Sequence, residues 1–599
     1  MSNQNLKDLP QDAVWHLEDL YKGHDDPQID KDLRKTREKA LQFVDSHKGK
    51  IKKKQLDSES FLSALQDYES IHETGMGPKL FAYLCHSSDT GDHGGIALLK
   101  KVEEKWSEIS QMLIFFKLQL MALPKGLLME LALHPDLSNY HHFLLRQVQW
   151  KGFALSETAE KVIKRKNLSG RRAFVSLFDE VMGSLSFSLE IDGVYRDTDA
   201  GQAIALLQSV EPAMREKAFH AFLEALQRRG TVFKSILNAL ILDFQLENSE
   251  RGHPTPTHRM HLLNGIDESL VEGMMEAVEA HYSLAQRYFQ LKACLLGVKL
   301  IKYTDIFAPF VKKPASISIR KAKELLLGAM ENLPPLFSSI VHEFFEKNRV
   351  DWEMRKGKQK GSFCKCLAPS QKPYISLAYG GTFRDVMELA HEIGHGIHYV
   401  LSSKQSYLNF RIVPILAETA ATFFEIVQCR YLMEKEEFQM HRQELLACAI
   451  ERMLLTVYRQ NVLTRFEQAL YNLRKDRPVN EEEICRLWWD ENDKLYGDSV
   501  EIAPAYRWGW TYIPHFVHSP FYCYSYIFGN LLSVTLFDNF TDQGDRFMKR
   551  IIHLFSSGSS EAPLEMLNEI GLDPKDNSFW GRAFQYMAGL IDCLEMYGR

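Results

Sequence analysis

The sequence predicts a mainly α protein with a small β-sheet beside one histidine-bearing helix. Three observations predict it. Apolar and charged residues recur at helical spacing over most of the chain, strand-like segments are few, and one of those segments runs through two glycines into a helix with histidines at 391 and 395. The 599 residues are 45% hydrophobic, enough for a sizeable core and too apolar for a mainly disordered chain.

In chain order, residues 101–124, KVEEKWSEISQMLIFFKLQLMALP, read as a helix stopped by proline. LSFSLEIDG, residues 185–193, alternates and ends in Asp-Gly, a hairpin signal. A boundary near residue 195 is expected from it. Residues 203–248 read as two or three helices, and 270–297, 320–347 and 431–470 as longer ones. Loops and short strands fill 348–384, with KPYISLAYGG (372–381) as strand and glycine turn. A helix is expected over 384–400, and another over PILAETAATFFEIVQC (414–429), started by Pro414.

Charge and composition exclude several classes. A net charge of -6, from 72 basic and 78 acidic residues, gives no reason to expect nucleic acid as a partner. The run Lys52-Lys53-Lys54 reads as solvated surface. The start lacks a basic segment followed by an apolar one, and no run of 18 uncharged apolar residues occurs, so neither a secretory signal nor a membrane span is expected. Nine scattered cysteines suit reduced thiols and a cytoplasmic location. Cys364 and Cys366, with no second pair nearby, make a poor metal site.

The stretch MELAHEIGHGIHYV (387–400) carries the pattern His-Glu-x-x-His. On a helix His391 and His395 stand one turn apart on one face and can reach a single ion. Glu392 lies about 100° round the helix, placed to take a proton from a metal-bound water without ligating. Gly394 and Gly396 weaken a core helix and suggest that something approaches closely. A zinc ion needs a third protein ligand. Glu418 sits among alanines and phenylalanines, and a carboxylate there needs a partner, either the metal or Arg411 or Arg430. Glu425, seven residues on, either orients a ligand histidine or is structural. His398 either supports the site through a hydrogen bond or is an ordinary helix residue.

Residues 505–530, AYRWGWTYIPHFVHSPFYCYSYIFGN, are dense in aromatics. His515, Tyr522 and Tyr524 are candidates to donate hydrogen bonds to an oxyanion, the alternative being an aromatic core segment.

In these residues the chain resembles the M3 family of zinc metallopeptidases, in its oligoendopeptidase F branch. The similar stretches are WHLEDLY (15–21), KPYISLAYGGTFRDVMELAHEIGHGIH, LAETAATFFE (416–425), PHFVHSPFYCYSYIFG (514–529) and FSSGSSEAPLEMLNEIGLDPKDNSFW near the end. The resemblance implies a two-lobed helical metallopeptidase with a deep substrate channel and a small β-sheet beside the zinc helix. It implies one zinc ion per chain on His391, His395 and Glu418, with Glu392 as general base and His515, Tyr522 and Tyr524 as transition-state and substrate-binding groups. The boundary expected near residue 195 divides the chain into an N-terminal helical lobe (1–195) and a catalytic domain (196–599). The resemblance implies cleavage of internal bonds in short unstructured oligopeptides; charge and hydropathy give no reason to expect a nucleic acid or membrane partner. The strand 372–379 is expected to align an extended peptide by main-chain hydrogen bonds, through Tyr374, Ser376, Ala378, Gly380 and Gly381. The sequence departs from the family pattern at Ala378-Tyr379-Gly380-Gly381-Thr382, at Cys523 and at His518-Ser519-Pro520. A zinc carboxypeptidase shares the helix and third glutamate and is the alternative enzyme. A catalytically dead scaffold would lack Glu392 or a ligand, and all are present.

Overall fold

The computed structural model describes residues 13–51, 57–191, 193–309, 315–576 and 578–598; the Lys52-Lys53-Lys54 run lies outside the described residues. Helices dominate. The strands among these residues are β1 Ser186–Ile191, β2 Val194–Asp199, β3 Ile301–Lys302, β4 Val350–Asp351, β5 Phe363–Lys365, β6 Tyr374–Ser376 and β7 Val500–Glu501. The helices include α1 His93–Ala122, α2 Phe383–Ser402, α3 Pro414–Glu434, α4 Arg459–Arg474, α5 Tyr524–Gln543 and α6 Asp545–Ser556.

Several expected helices are shorter than the sequence rhythm suggested. The stretch 320–347 is two helices, Ile319–Met330 and Pro335–Glu346. Two consecutive prolines at 334 and 335 separate them, because proline lacks an N–H and forces the preceding residue out of the helical region. The stretch 270–297 breaks at His281. Residues 431–470 hold the end of α3, a further helix Arg442–Met453 and the start of α4, joined through a π-helical turn at Leu454–Tyr458. Apolar spacing continues across each break, so periodicity alone does not reveal it. Residues 203–248 hold three helices, and the hairpin expected at 185–193 is β1–β2, with Ile191 opposite Val194. Its turn residue Asp192 lies outside the described residues.

By internal contacts the chain forms two compact units. The first comprises Met1–Glu157, Ala315–Lys435 and Leu536–Asp573, the second Thr158–Pro314, Glu436–Thr535 and Pro574–Arg599. Residue 195 lies inside the second unit, in β2.

In the first unit α1 packs with the helices before it around a core that includes Phe43, Phe61, Phe115 and Phe116. The WHLEDLY segment joins a separate cluster, in which Trp15 packs with Leu80, Leu84 and, from a three-stranded sheet, Tyr374. Trp15 packs edge-on against Tyr374 at 6.2 Å, and its indole N–H donates to Ser88 Oγ at 2.7 Å. The sheet runs β4-β6-β5, with β6 parallel to β4 and antiparallel to β5. The second unit holds the β1–β2 hairpin, the parallel pair β3–β7, α4 and the first part of α5. None of the nine cysteines is in a disulfide. Among the described residues no single helix is long and apolar enough to cross a membrane.

Candidate functional site

Helix α2 starts where the sequence dictates. Thr382 caps it, accepting from Asp385 N–H, while Asp385 accepts from Thr382 N–H at 2.8 Å. This reciprocal box satisfies two amide donors that a helix start leaves open. Gly381 makes the approach possible. Its φ is +86°, a left-handed conformation that favours glycine, and a Cβ there would stand 3.1 Å from the Ile317 carbonyl oxygen.

The two glycines inside α2 serve helix packing. A Cβ on Gly394 would lie 2.7 Å from Ala421 Cα and 2.9 Å from the Ala420 carbonyl oxygen, both backbone atoms of α3. A Cβ on Gly396 would lie 2.5 Å from the Phe344 ring. The close approach expected from these glycines is therefore made by neighbouring protein, and at Gly394 by the helix that carries Glu418. Pro414 opens α3 as expected, at a position where its missing N–H costs nothing.

This packing gathers the donors. One ligand atom each from His391, His395 and Glu418 lies within 4.8 Å of the others. Glu418 Oε2 is 3.7 Å from His391 Nε2 and 4.0 Å from His395 Nε2. Zinc bonds of about 2.0–2.2 Å place tetrahedral partners roughly 3.3–3.5 Å apart, so small side-chain adjustments close the set. Two imidazoles and a carboxylate are also the donor chemistry zinc takes. The site fits the ion.

The surroundings hold these side chains in ligand form. Glu425 Oε2 lies 3.2 Å from His391 Nδ1. A carboxylate only accepts, so it draws the imidazole proton to Nδ1 and leaves the Nε2 lone pair toward Glu418. Burial pushes the His395 pKa well down, His391 adding to this, and a hydrogen bond to the Ala417 backbone opposes it. The ring is neutral, as a ligand must be. Glu418 is 8% exposed and Glu425 6%. Arg430, offered by the sequence as a partner for Glu418, pairs instead with Glu434 at 3.1 Å. Glu392, on α2 next to His391, is 4% exposed.

His398 packs its ring on Phe555 of α6, with centroids 5.1 Å apart, and burial pushes its pKa down to about 3. Its Nδ1 is buried without a hydrogen-bond partner. Among the described residues no hydrogen bond joins it to a ligand, which favours the second of its two readings, an ordinary helix residue.

The sheet corrects the substrate-strand expectation. Tyr374 and Ser376 are buried, and β6 has a paired strand on each side. No edge remains there for an added peptide strand. The shortfall has a plain cause: alternation marks a strand but not its neighbours. The strand on the outside of β6 is β5, whose Cys364 thiol is pushed well up by burial and next by the charge of Glu392. Ala378 and Gly380 are exposed, and Gly381 is half-buried in the turn that leads into α2.

The second unit holds the aromatic segment, and it sorts the tyrosines. His515, Tyr522 and Tyr526 form one half-buried group. His515 Nε2 is 3.4 Å from the Tyr526 hydroxyl, and the Tyr522 ring centroid is 6.3 Å from His515 and 5.2 Å from Tyr526. Burial, then Arg459 and His518, lower the His515 pKa and hold the ring neutral. Tyr524 faces elsewhere. It is 0% exposed, and its hydroxyl accepts from Asn264 Nδ2 at 2.8 Å and lies 3.1 Å from His261 Nδ1. Tyr524 is thus a core residue, and Tyr526 stands where Tyr524 was expected. Tyr522 precedes α5 and Tyr526 lies in its first turn, so residue spacing alone does not sort the two tyrosines; the place where the helix starts does.

A strained turn precedes Tyr522. The Tyr522 N–H donates to the Ser519 carbonyl at 3.2 Å, with Pro520 and Phe521 between them. Phe521 has φ +59°, at the turn position that ordinarily takes glycine. Such a conformation costs on the order of 1–3 kcal/mol in a bulky residue.

The chain is similar to known proteins over most of its length. The family profile described as "Peptidase family M3" matches residues 331–586, a span that includes every residue of the metal group and of the His515 group, and one described as "Oligopeptidase F" matches residues 119–187. The chain is 23% identical over 581 residues to oligopeptidase PepF of Bacillus subtilis, covering 94% of this chain and 83% of that protein. It is 22% identical to the plasmid oligoendopeptidase F of Lactococcus lactis subsp. cremoris, covering 99% and 98%. The crystal structure of oligoendopeptidase-F from Enterococcus faecium superposes with a TM-score of 0.73 at 21% identity, covering 95% of this chain and 98% of that one. A protein from Chlamydophila abortus superposes with a TM-score of 0.80 at 20% identity, covering 98% and 99%.

Proposed function

We propose, from the premise that this chain belongs to peptidase family M3, that it is a zinc-dependent endopeptidase hydrolysing internal bonds of short, unstructured oligopeptides. The observation that carries the reading is the set His391, His395 and Glu418, with ligand atoms within 4.8 Å of one another and Glu425 against the far nitrogen of His391. These three residues would hold one zinc ion. When bound, zinc supplies a Lewis acid that polarises the scissile carbonyl and acidifies water.

The chain's own residues do the rest. Glu392 takes a proton from the attacking water and hands it to the departing amine, so no acyl-enzyme is formed. Glu425 keeps the His391 proton on Nδ1. His515, Tyr522 and Tyr526 supply neutral N–H and O–H donors for the developing oxyanion. The exposed residues Ala378 and Gly380 remain candidates for substrate contact, and β5, beside Glu392, is the strand assigned to peptide alignment. The two-lobed arrangement around a deep channel and action in cytoplasmic peptide turnover belong to this proposal and rest on the family resemblance; the separation of a 1–195 lobe from a 196–599 catalytic domain also belongs to it and rests on the hairpin signal near residue 195.

The test joins metal content to cleavage of an internally quenched peptide blocked at both ends. One zinc per chain and internal cleavage are expected. Glu392→Gln should keep its zinc and lose activity by about 10²–10⁴-fold. Activity confined to free C-termini would replace the reading with the carboxypeptidase, and a fully active Glu392→Gln would remove the general base.

A further inference from the structure

Helix α4 carries a carboxylate whose burial the proposed mechanism does not use. Glu467 is 2% exposed, and its Oε2 accepts the backbone N–H of Phe521 at 2.8 Å. Its Oε1 is buried without a hydrogen-bond partner. It is therefore not one member of a larger polar network. Its hydrogen bond goes to the one residue of the aromatic segment in a left-handed conformation, Phe521 at φ +59°.

The turn explains why a carboxylate is there. The turn's own bond uses the Tyr522 N–H and the Ser519 carbonyl, which leaves the Phe521 N–H pointing into a buried site with nothing in the turn to accept it. A buried amide without an acceptor is costly. The Phe521 side chain is gripped too, its ring centroid 4.6 Å from Tyr471 and 6.0 Å from Phe244. Phe521 is thus held at its ring and at its N–H, and the next residue is Tyr522.

We infer that Glu467 is a positioning residue for Tyr522: by accepting the Phe521 N–H it locks the left-handed turn that sets the Tyr522 ring beside His515 and Tyr526. The inference rests on the proposed endopeptidase function. Burial raises the Glu467 carboxyl to about 8, opposed first by the Phe521 N–H it accepts and then by Arg171. Tyr471 and Cys523 are the other titratable groups facing it. The neutral side chain still accepts through its carbonyl oxygen, so glutamine is the conservative replacement and leucine the disabling one.

The test compares E467Q, E467L, Y522F and the double variant E467L/Y522F on an end-blocked quenched peptide. E467L should lower kcat by about 10- to 100-fold, the scale of a small misplacement, with zinc content and KM close to the parent. E467Q should restore most of the rate. In the Y522F background E467L should add no further loss, because both changes disable one unit. Losses that multiply in the double variant, or a parental kcat in folded E467L, would overturn the inference. If E467L does not yield folded protein, E467M, unbranched and with only a weakly accepting sulfur, is judged by the same criteria. Crystal structures add a readout independent of turnover: Phe521 should leave positive φ in the leucine variant and keep it in the glutamine variant, and positive φ in both would overturn the inference. A fully active Glu392→Gln would sink the proposed chemistry instead, and leaves this structural arm standing.

Discussion

The two groups of functional candidates are built in opposite ways. His391, His395, Glu418 and Glu425 sit on two regular helices, where capping, a glycine contact and helical period place every side chain. His515, Tyr522 and Tyr526 flank an irregular turn that one aromatic residue occupies in a glycine-like conformation. The first group needs almost no local strain. The second is held by tertiary contacts that outweigh it. A metal requires several ligands on one point at once, and helix pairing delivers this. The oxyanion role proposed for the second group needs fine placement of single groups, and a turn fixed by its neighbours suits that need.

The largest effect that tests this contrast concerns the tyrosines. Tyr526→Phe should lower kcat by about 10²–10³-fold, as loss of one oxyanion donor does. Tyr524→Phe should leave kcat intact and cost about 1 kcal/mol of stability through its lost hydrogen bonding to Asn264. Steady-state kinetics with thermal melts separate the two, and equal kinetic losses would break the sorting of core from site. Next comes Glu425→Ala, which should weaken zinc binding about 10- to 100-fold without removing a ligand. Zinc titration against a competing chelator measures it, and parental affinity would reduce Glu425 to a structural carboxylate.

The helix pair itself is tested by Gly394→Ala. Its new methyl would meet α3 backbone at 2.7 Å, so stability should fall by about 1–3 kcal/mol and zinc affinity with it. Gly126→Ala, where a Cβ meets nothing within 4 Å, is the control and should not destabilise. The smallest effect is a pH dependence. Folded Glu467 titrates near 8, above the ordinary value of 4.5, so between these the folded chain keeps a proton that the unfolded chain releases. Its contribution to stability therefore falls as pH rises through that window and levels off above it. The melting temperature of Glu467→Gln relative to the parent should climb across the window and then plateau. A flat difference would mean that Glu467 is not protonated there.

Much of the metal site was legible before any coordinates. His391 and His395 are one helical turn apart whatever surrounds them, and Glu418 and Glu425 share a face by the same rule. The third ligand and the general base came from chemistry and resemblance. Other features were not legible, each for a physical reason. Gly394 announced a close approach but not its agent, since a glycine records missing volume and not what fills it. KPYISLAYGG read as a strand, yet its central place between β4 and β5 depends on segments far away in the chain. Tyr524 and Tyr526 look alike in composition, and only the position of the helix start after Phe521 decides which joins His515.

The sequence by itself determined the mainly helical class, the zinc-type donor set and its helical spacing, because local period and donor chemistry travel with the residues. Only the tertiary structure decided which strand is central, which tyrosine faces His515 and why Phe521 tolerates a left-handed backbone. Those outcomes depend on pairing and burial between distant segments, where the energy of one local choice is set by contacts it does not itself encode.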